Sequence, residues 1–139
     1  MKKKKKGIAI FFSVLTVTML LTVQAFAYGS QGMSYDFNTG SNGNAYLDGS
    51  KNGCYYSLSS GNVHLDYNNQ SGTGDLSMTL YRSVWYGGAG YGTVTRSVSP
   101  NSSYTNYWKV DTDSSKYYLK IMGTGVYSNY TGDGTMYDY

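Results

Sequence analysis

The sequence contains no glutamate, one cysteine (Cys54), one histidine (His64) and one proline (Pro100). Each shortage excludes something. A lone cysteine forms no internal disulfide, so a folded extracellular domain made from this chain must be held by its core alone. Without glutamate, a two-carboxylate glycosidase needs two aspartates from separate strands, and no pair is marked out. The acid–base inventory reduces to His64 and eight aspartates. His64 stands two residues before Asp66, and serines are plentiful. No Gly-x-Ser-x-Gly elbow accompanies them, so the pair reads as strand surface rather than part of a triad. Ligand-type residues do not cluster in a zinc pattern. Asp111-x-Asp113-x-Ser115 opens like a calcium loop, but it lacks the glycine at the sixth position and has Met122 where the last carboxylate belongs. It reads as a turn whose side chains cap backbone amides. No catalytic residue, metal or cofactor is assigned, and the chain is read as non-enzymatic.

The nominal charge of +3 is misleading, because Lys2 to Lys6 supply much of it. That basic run, the apolar stretch Ile8 to Val23 and the small-x-small site Ala25-Phe26-Ala27 predict a cleaved secretory signal peptide over 1–27, followed by one all-β domain over 28–139. The competing reading is an uncleaved anchor, since the apolar run approaches spanning length. No later segment is apolar enough to span. Beyond residue 27 the aspartates outnumber the basic residues, so neither nucleic acid nor anionic lipid is an expected partner. The lysine-rich leader and the avoidance of cysteine fit an extracellular protein of a Gram-positive bacterium.

What the chain does have is tyrosine: 17 of them, all beyond residue 27. Leucine, isoleucine and valine are sparse there, so tyrosine must supply much of the core and most of the strand propensity. Helical spacing of apolar residues is absent, and Glu, Gln and Ala are scarce. Turn dipeptides recur instead, among them Asn42-Gly43, Asp48-Gly49, Asn52-Gly53, Ser60-Gly61, Ser71-Gly72 and Asp133-Gly134.

Short alternating runs between such turns predict antiparallel strands packed as a two-sheet, jelly-roll-like β-sandwich. Strands are expected at Met33 to Asn38, Ala45 to Leu47 and Cys54 to Leu58. Val63 to Tyr67 follows, joined to the previous strand as a hairpin through Ser59 to Asn62. Cys54, Tyr56 and Leu58 are expected on one face, Cys54 as a small buried residue. Val63, Leu65 and Tyr67 point inward, with His64 and Asp66 outward. Asn68 to Thr73 reads as a polar connection. Asp75 to Arg82 and Thr93 to Val98 form a central hairpin with Leu76, Met78 and Leu80 inward. Its loop, Ser83 to Gly92, is glycine-rich. Tyr104 to Val110 places Trp108 and Val110 inward. Lys116 to Met122 does the same for Tyr117, Leu119 and Ile121. Val126 to Thr131 and Thr135 to Tyr139 close the sheet, tying in the C-terminus.

The pattern Leu76-x-Met78-x-Leu80-Tyr81, a strand near Trp108, then Tyr117-Tyr118-Leu119-Lys120-Ile121-x-Gly123 resembles bacterial secreted β-sandwich accessory modules. Pre-peptidase C-terminal domains and carbohydrate-binding jelly rolls are similar over about 75–139. The resemblance implies a non-catalytic accessory module and transfers no functional residue.

The candidate binding residues are Trp85, Tyr86 and Tyr91 in the glycine-rich loop, with Arg82 at its base. Sugar rings present C–H faces that pack on aromatic planes, and Arg82 supplies donors for hydroxyls. The alternative is that Val84 and Trp85 fold back as a lid over one end of the sandwich. The reading is a secreted protein that contacts a glycan or cell-envelope surface through exposed aromatics. Two alternatives stand beside it: an extracellular structural or self-associating protein, given the low charge and open sheet edges, and a secreted antibacterial effector.

Overall fold

The structure is a computed structural model that describes residues 29–41, 43 and 45–139. The expected signal peptide lies outside the described residues. The strands are β1 (Ser30–Asn38), β2 (Ala45–Asp48), β3 (Tyr56–Leu58), β4 (Gly61–Ser71), β5 (Gly74–Val84), β6 (Gly87–Val98), β7 (Ser102–Val110), β8 (Ser114–Gly123) and β9 (Asn129–Asp138). One sheet has the order β1-β9-β4-β7 and the other β2-β8-β5-β6, with β3 also on β8. Every pairing is antiparallel. The chain thus passes repeatedly from one sheet to the other, in the strand order of a jelly roll, and the all-β sandwich expected from the sequence is the fold. Among the described residues no helix is long and apolar enough to cross a membrane.

Period-two alternation produces this arrangement directly. Val63, Leu65 and Tyr67 of β4, Leu76, Met78 and Leu80 of β5, and Tyr117, Leu119 and Ile121 of β8 are all buried. They meet Tyr35, Trp108, Val110, Tyr130 and Met136 in one core between the sheets. Tyrosine does carry the packing, and the hydroxyls of Tyr35, Tyr117 and Tyr130 end on internal partners, Tyr35 donating to Asn69 Oδ1 at 2.9 Å. Burial pushes the Tyr56 and Tyr67 hydroxyls up to pKa values of about 12. The sides of the sandwich are stitched by side chains acting on strand edges. The Gln31 amide exchanges two hydrogen bonds with the Ser57 backbone, at 2.6 and 2.9 Å. On the opposite side Arg96 donates to Thr105 O and Trp108 Nε1 donates to Gly92 O. The C-terminus is tied in, since Tyr139 and Asn62 exchange backbone hydrogen bonds.

Several expectations are corrected. β3 and β4 are not a hairpin: β3 pairs with β8, while β4 lies in the other sheet. Alternation places Leu58 and Val63 both inward, but strands facing each other across the core carry the same pattern as neighbours, so parity cannot choose between them. Cys54 is exposed. The strand begins only at Tyr56, and Cys54 belongs to a turn in which its N–H bonds Gly49 O. The stretch Asn68 to Thr73 is mostly strand, and Asn69 is fully buried, donating to Gly72 O and Ser99 O. The two closing strands are one, β9. The glycine-rich stretch is strand β6 rather than loop; only Trp85 and Tyr86 form the turn. Glycine depresses strand propensity, but here Gly88 and Gly90 provide a recess in which the Tyr81 and Tyr118 rings lie, as a Cβ on Gly88 would stand 2.4 Å from the Tyr118 hydroxyl.

Candidate functional site

The hairpin β5–β6 sorts the candidate residues by strand parity. Val84 pairs with Gly87, leaving Trp85 and Tyr86 as a two-residue turn. Trp85 is 95% exposed and Tyr86 71% exposed, their rings edge-on at 5.2 Å. Trp85 therefore does not fold back as a lid. Arg82 and Tyr91 lie elsewhere, at the base of the hairpin on its core side. Arg82 sits in register with Ala89 and Tyr117, its Nε buried without a partner among the described residues. The Tyr91 ring packs 5.5 Å from Tyr117, and its hydroxyl donates to Asp111. Burial raises the Tyr91 pKa, and its bond to Asp111 adds to the shift. The same bond, helped by Thr112, holds the Asp111 carboxyl below the usual range. Asp113 accepts from the Ser60 N–H and so caps a backbone amide, whereas Asp111 accepts from the Tyr91 and Thr112 hydroxyls. The structure brings Trp85 and Tyr86 together and separates them from Arg82 and Tyr91.

Two further surfaces carry exposed aromatics. On the outer face of the β2-β8-β5-β6 sheet, Tyr46, Tyr81, Lys120, Met122, Ser77, Thr79 and Thr93 line a groove of about 350 Å³. Tyr81 and Tyr118 stack at 5.5 Å, and the Lys120 ammonium lies 5.0 Å from the Tyr81 ring centre. Lys120 also pairs with Asp48 at 3.4 Å. Burial works to raise the Asp48 pKa, but hydrogen bonds from Ser50 and the Lys120 charge outweigh it and hold it down.

The outer face of the β1-β9-β4-β7 sheet carries the larger groove, about 650 Å³, lined by Asp66, Asn68, Ser103, Thr105, Asp133 and Thr135 among others. Beside it runs a row of rings. His64 pairs in register with Tyr107 of β7 and Tyr137 of β9. Its ring stacks on Tyr137 at 4.7 Å and lies 5.3 Å from Tyr139 and 6.0 Å from Tyr107. His64 Nε2 is 3.7 Å from Asp66 Oδ2. The sequence places His64 and Asp66 on this face but does not say that three tyrosines gather around them. Parity alone exposes Tyr107, between buried Asn106 and Trp108, and Tyr137, between buried Met136 and Asp138. What parity leaves open is that β7, β4 and β9 are neighbours.

No family model matches the sequence, and no curated protein matches it. Among solved structures, "Crystal structure of PirA" is similar at TM-score 0.42 and 14% identity, covering 75% of this chain and 91% of that one. A second, "Bacillus endospore appendages form a novel family of disulfide-linked pili", is similar at TM-score 0.38 and 15% identity, covering 79% and 84%. Neither likeness, at these scores, bears on what this chain does.

Proposed function

We propose that residues 28–139 form a secreted, non-enzymatic binding module that contacts a glycan or cell-envelope surface through exposed aromatic side chains. The observation that carries this reading is Trp85, 95% exposed on a turn between β5, paired on both sides, and the edge strand β6. A large aromatic ring removes on the order of 150–250 Å² from water when buried, at roughly 25 cal/mol per Å². Holding one in solvent forgoes that gain until a partner covers it, and folding here gains nothing from the exposure. Trp85 and Tyr86 are the contact residues. Arg82 and Tyr91, fixed against Tyr117 and Asp111, support the base of the hairpin that presents them.

The test is retention of mature protein on isolated cell walls and insoluble polysaccharide, compared with a Trp85→Ala/Tyr86→Ala variant. Wild type is expected to be retained and the variant washed off, with equal unfolding midpoints because neither ring packs on the core. Equal retention of both, or none of either, overturns the reading.

One observation favours self-association instead. Val126 is 61% exposed and Tyr127 74% exposed, and they lie beyond Gly123 and Gly125, beside the Gly74 end of β5, at the pole opposite Trp85. Aromatics at both poles allow a head-to-tail contact, which propagates rather than closes. Sedimentation showing only monomer at high concentration would eliminate it.

A further inference from the structure

The outer face of the β1-β9-β4-β7 sheet has the makings of a second site, remote from the Trp85 turn. We infer that it binds a neutral oligosaccharide, one sugar ring against Tyr107 and the next over Asp66, Asn68 and Asp133. The inference shares its ligand class with the binding-module reading but places the ligand on different residues.

Three rows of side chains build the site, each crossing the strands at two-residue steps, ~6.6–6.8 Å apart. The first is Tyr107, His64 and Tyr137. Tyr107, on edge strand β7, is 61% exposed and ends the row with most of its ring in solvent. The second row is Thr105, Asp66 and Thr135, the third Ser103, Asn68 and Asp133. This order matches what a saccharide presents: an apolar C–H face beside a rim of hydroxyls that both donate and accept.

The polar rows are already oriented. Thr105 donates to Asp66 Oδ1 at 2.6 Å, and Ser103 donates to Asn68 Oδ1 at 2.6 Å. Those bonds fix the two side chains; Asp66 Oδ2 faces His64 Nε2 at 3.7 Å, between the ring row and the groove, and the Asn68 amide donors are left without a protein partner among the described residues. The Asp133 side chain makes no hydrogen bond or ion pair among the described residues. The set therefore offers both acceptors and donors, and the groove volume of about 650 Å³ accommodates more than one sugar ring.

Charge decides the class of sugar. Among the described residues Asp36, Asp66 and Asp133 lie on this face by strand parity with Lys109, and Arg96 reaches only its edge, at the Thr105 backbone, so the acidic groups predominate. Uronic acid and phosphate polymers are repelled, leaving neutral or N-acetylated sugars.

His64 is the only histidine in the sequence, which makes it a spectroscopic reporter inside the ring row. The experiment titrates the mature protein with cellohexaose, chitohexaose and, as the anionic arm, hexagalacturonate, following the His64 imidazole resonances by NMR and affinity by calorimetry. At least one neutral hexaose is expected to shift the His64 signals saturably, and hexagalacturonate to leave them unmoved. Tyr107→Ala should weaken binding roughly tenfold, the scale of one lost ring contact. Asp133→Asn, a volume-conserving change at an exposed position, should weaken it severalfold without altering unfolding. Trp85→Ala should leave hexaose binding unchanged. Immobile His64 signals with both neutral hexaoses overturn the inference, as does full affinity in Tyr107→Ala or preferential binding of hexagalacturonate. If those failures coincide with wall retention lost only in the Trp85→Ala/Tyr86→Ala variant, the binding-module reading survives and this site falls alone.

Discussion

Replacing Gly123 with alanine tests how this sandwich closes. Gly123 is buried on the core side of β8, and a Cβ there would stand 2.4 Å from Tyr130 Cε2 and 2.7 Å from Cδ2. Carbon atoms in contact prefer ~3.5–4.0 Å, so the ring would have to retreat by about 1 Å. It has nowhere to go. A Cβ on Gly72 would meet the same ring at 2.5 Å, so backbone already hugs that side. Phe37 stacks on it at 5.3 Å. The hydroxyl donates to Thr73 O and accepts from Gly125 N, both at 2.9 Å.

Overpacking a filled core costs about 1–3 kcal/mol, and tipping the ring forfeits about 1 kcal/mol per hydrogen bond. The expected loss is therefore about 2–4 kcal/mol, a large share of the ~5–15 kcal/mol of a typical domain. At a few degrees per kcal/mol, that lowers Tm by roughly 8–16 °C. Urea unfolding followed by fluorescence measures it. Gly32→Ala is the control, because nothing lies within 4 Å of its added Cβ, and its effect should stay within about 0.5 kcal/mol. The double variant with Tyr130→Leu separates sterics from propensity: if the clash is the cause, most of the cost vanishes once the ring is gone. Equal effects of Gly123→Ala and Gly32→Ala, or additive effects in the cycle, would refute the reasoning.

Alkaline pH should unfold the protein between about 10 and 12. Burial raises Tyr56 and Tyr67 to about 12, so above pH 10 the unfolded chain releases protons that the native state keeps. Stability is intact below the unfolded value and falls through this window by roughly 1.4 kcal/mol per pH unit for each group. Tyrosinate absorbance rising together with loss of native signal checks it; full titration in a still-folded protein would contradict it. The buried Asp138 carboxylate accepts Gly29 N–H at 2.9 Å and Ser59 N–H at 2.7 Å, holding the residue before β1 and the β3–β4 crossover. Asp138→Ala should lower stability by about 1.5–3 kcal/mol, the scale of lost hydrogen bonds to a charged group, seen as a lower urea midpoint at constant slope.

The fold was legible wherever the physics is local. Alternation at Val63, Leu65 and Tyr67, at Leu76, Met78 and Leu80, and at Tyr117, Leu119 and Ile121 states which face is inward without reference to any partner. Partner choice is not local, and the errors fall there. β3 carries the same inward signal as β4 yet joins β8. The site divides in the same way. Trp85 and Tyr86 sit in one turn and could be found together, whereas the row around His64 takes Tyr107 from β7 and Tyr137 and Tyr139 from β9 and its end. Each of those tyrosines is visible by parity, but their meeting depends on a jelly-roll order that alternation does not encode.

The glycines expose a second reason. With 17 tyrosines and 18 glycines, the two abundances invite separate explanations, one for core and one for turns. The packing joins them. Tyr130 lies between Gly72 and Gly123, Tyr35 covers Gly132, and Tyr81 and Tyr118 cover Gly88 and Gly90. Tyr130 crosses the ~10 Å gap between the sheets to Gly123, Tyr35 lies over its in-register neighbour Gly132 within one sheet, and Tyr81 covers Gly90 on an outer face, so in each setting the ring occupies the space of an absent side chain. Gly123, Gly132 and Gly134 all fall on the inward parity of their strands, where a turn signal has no meaning. In a core built from tyrosine instead of leucine and valine, an inward glycine is the complement of a ring, and substituting it should disturb the core more than substituting many of the aliphatic residues beside it.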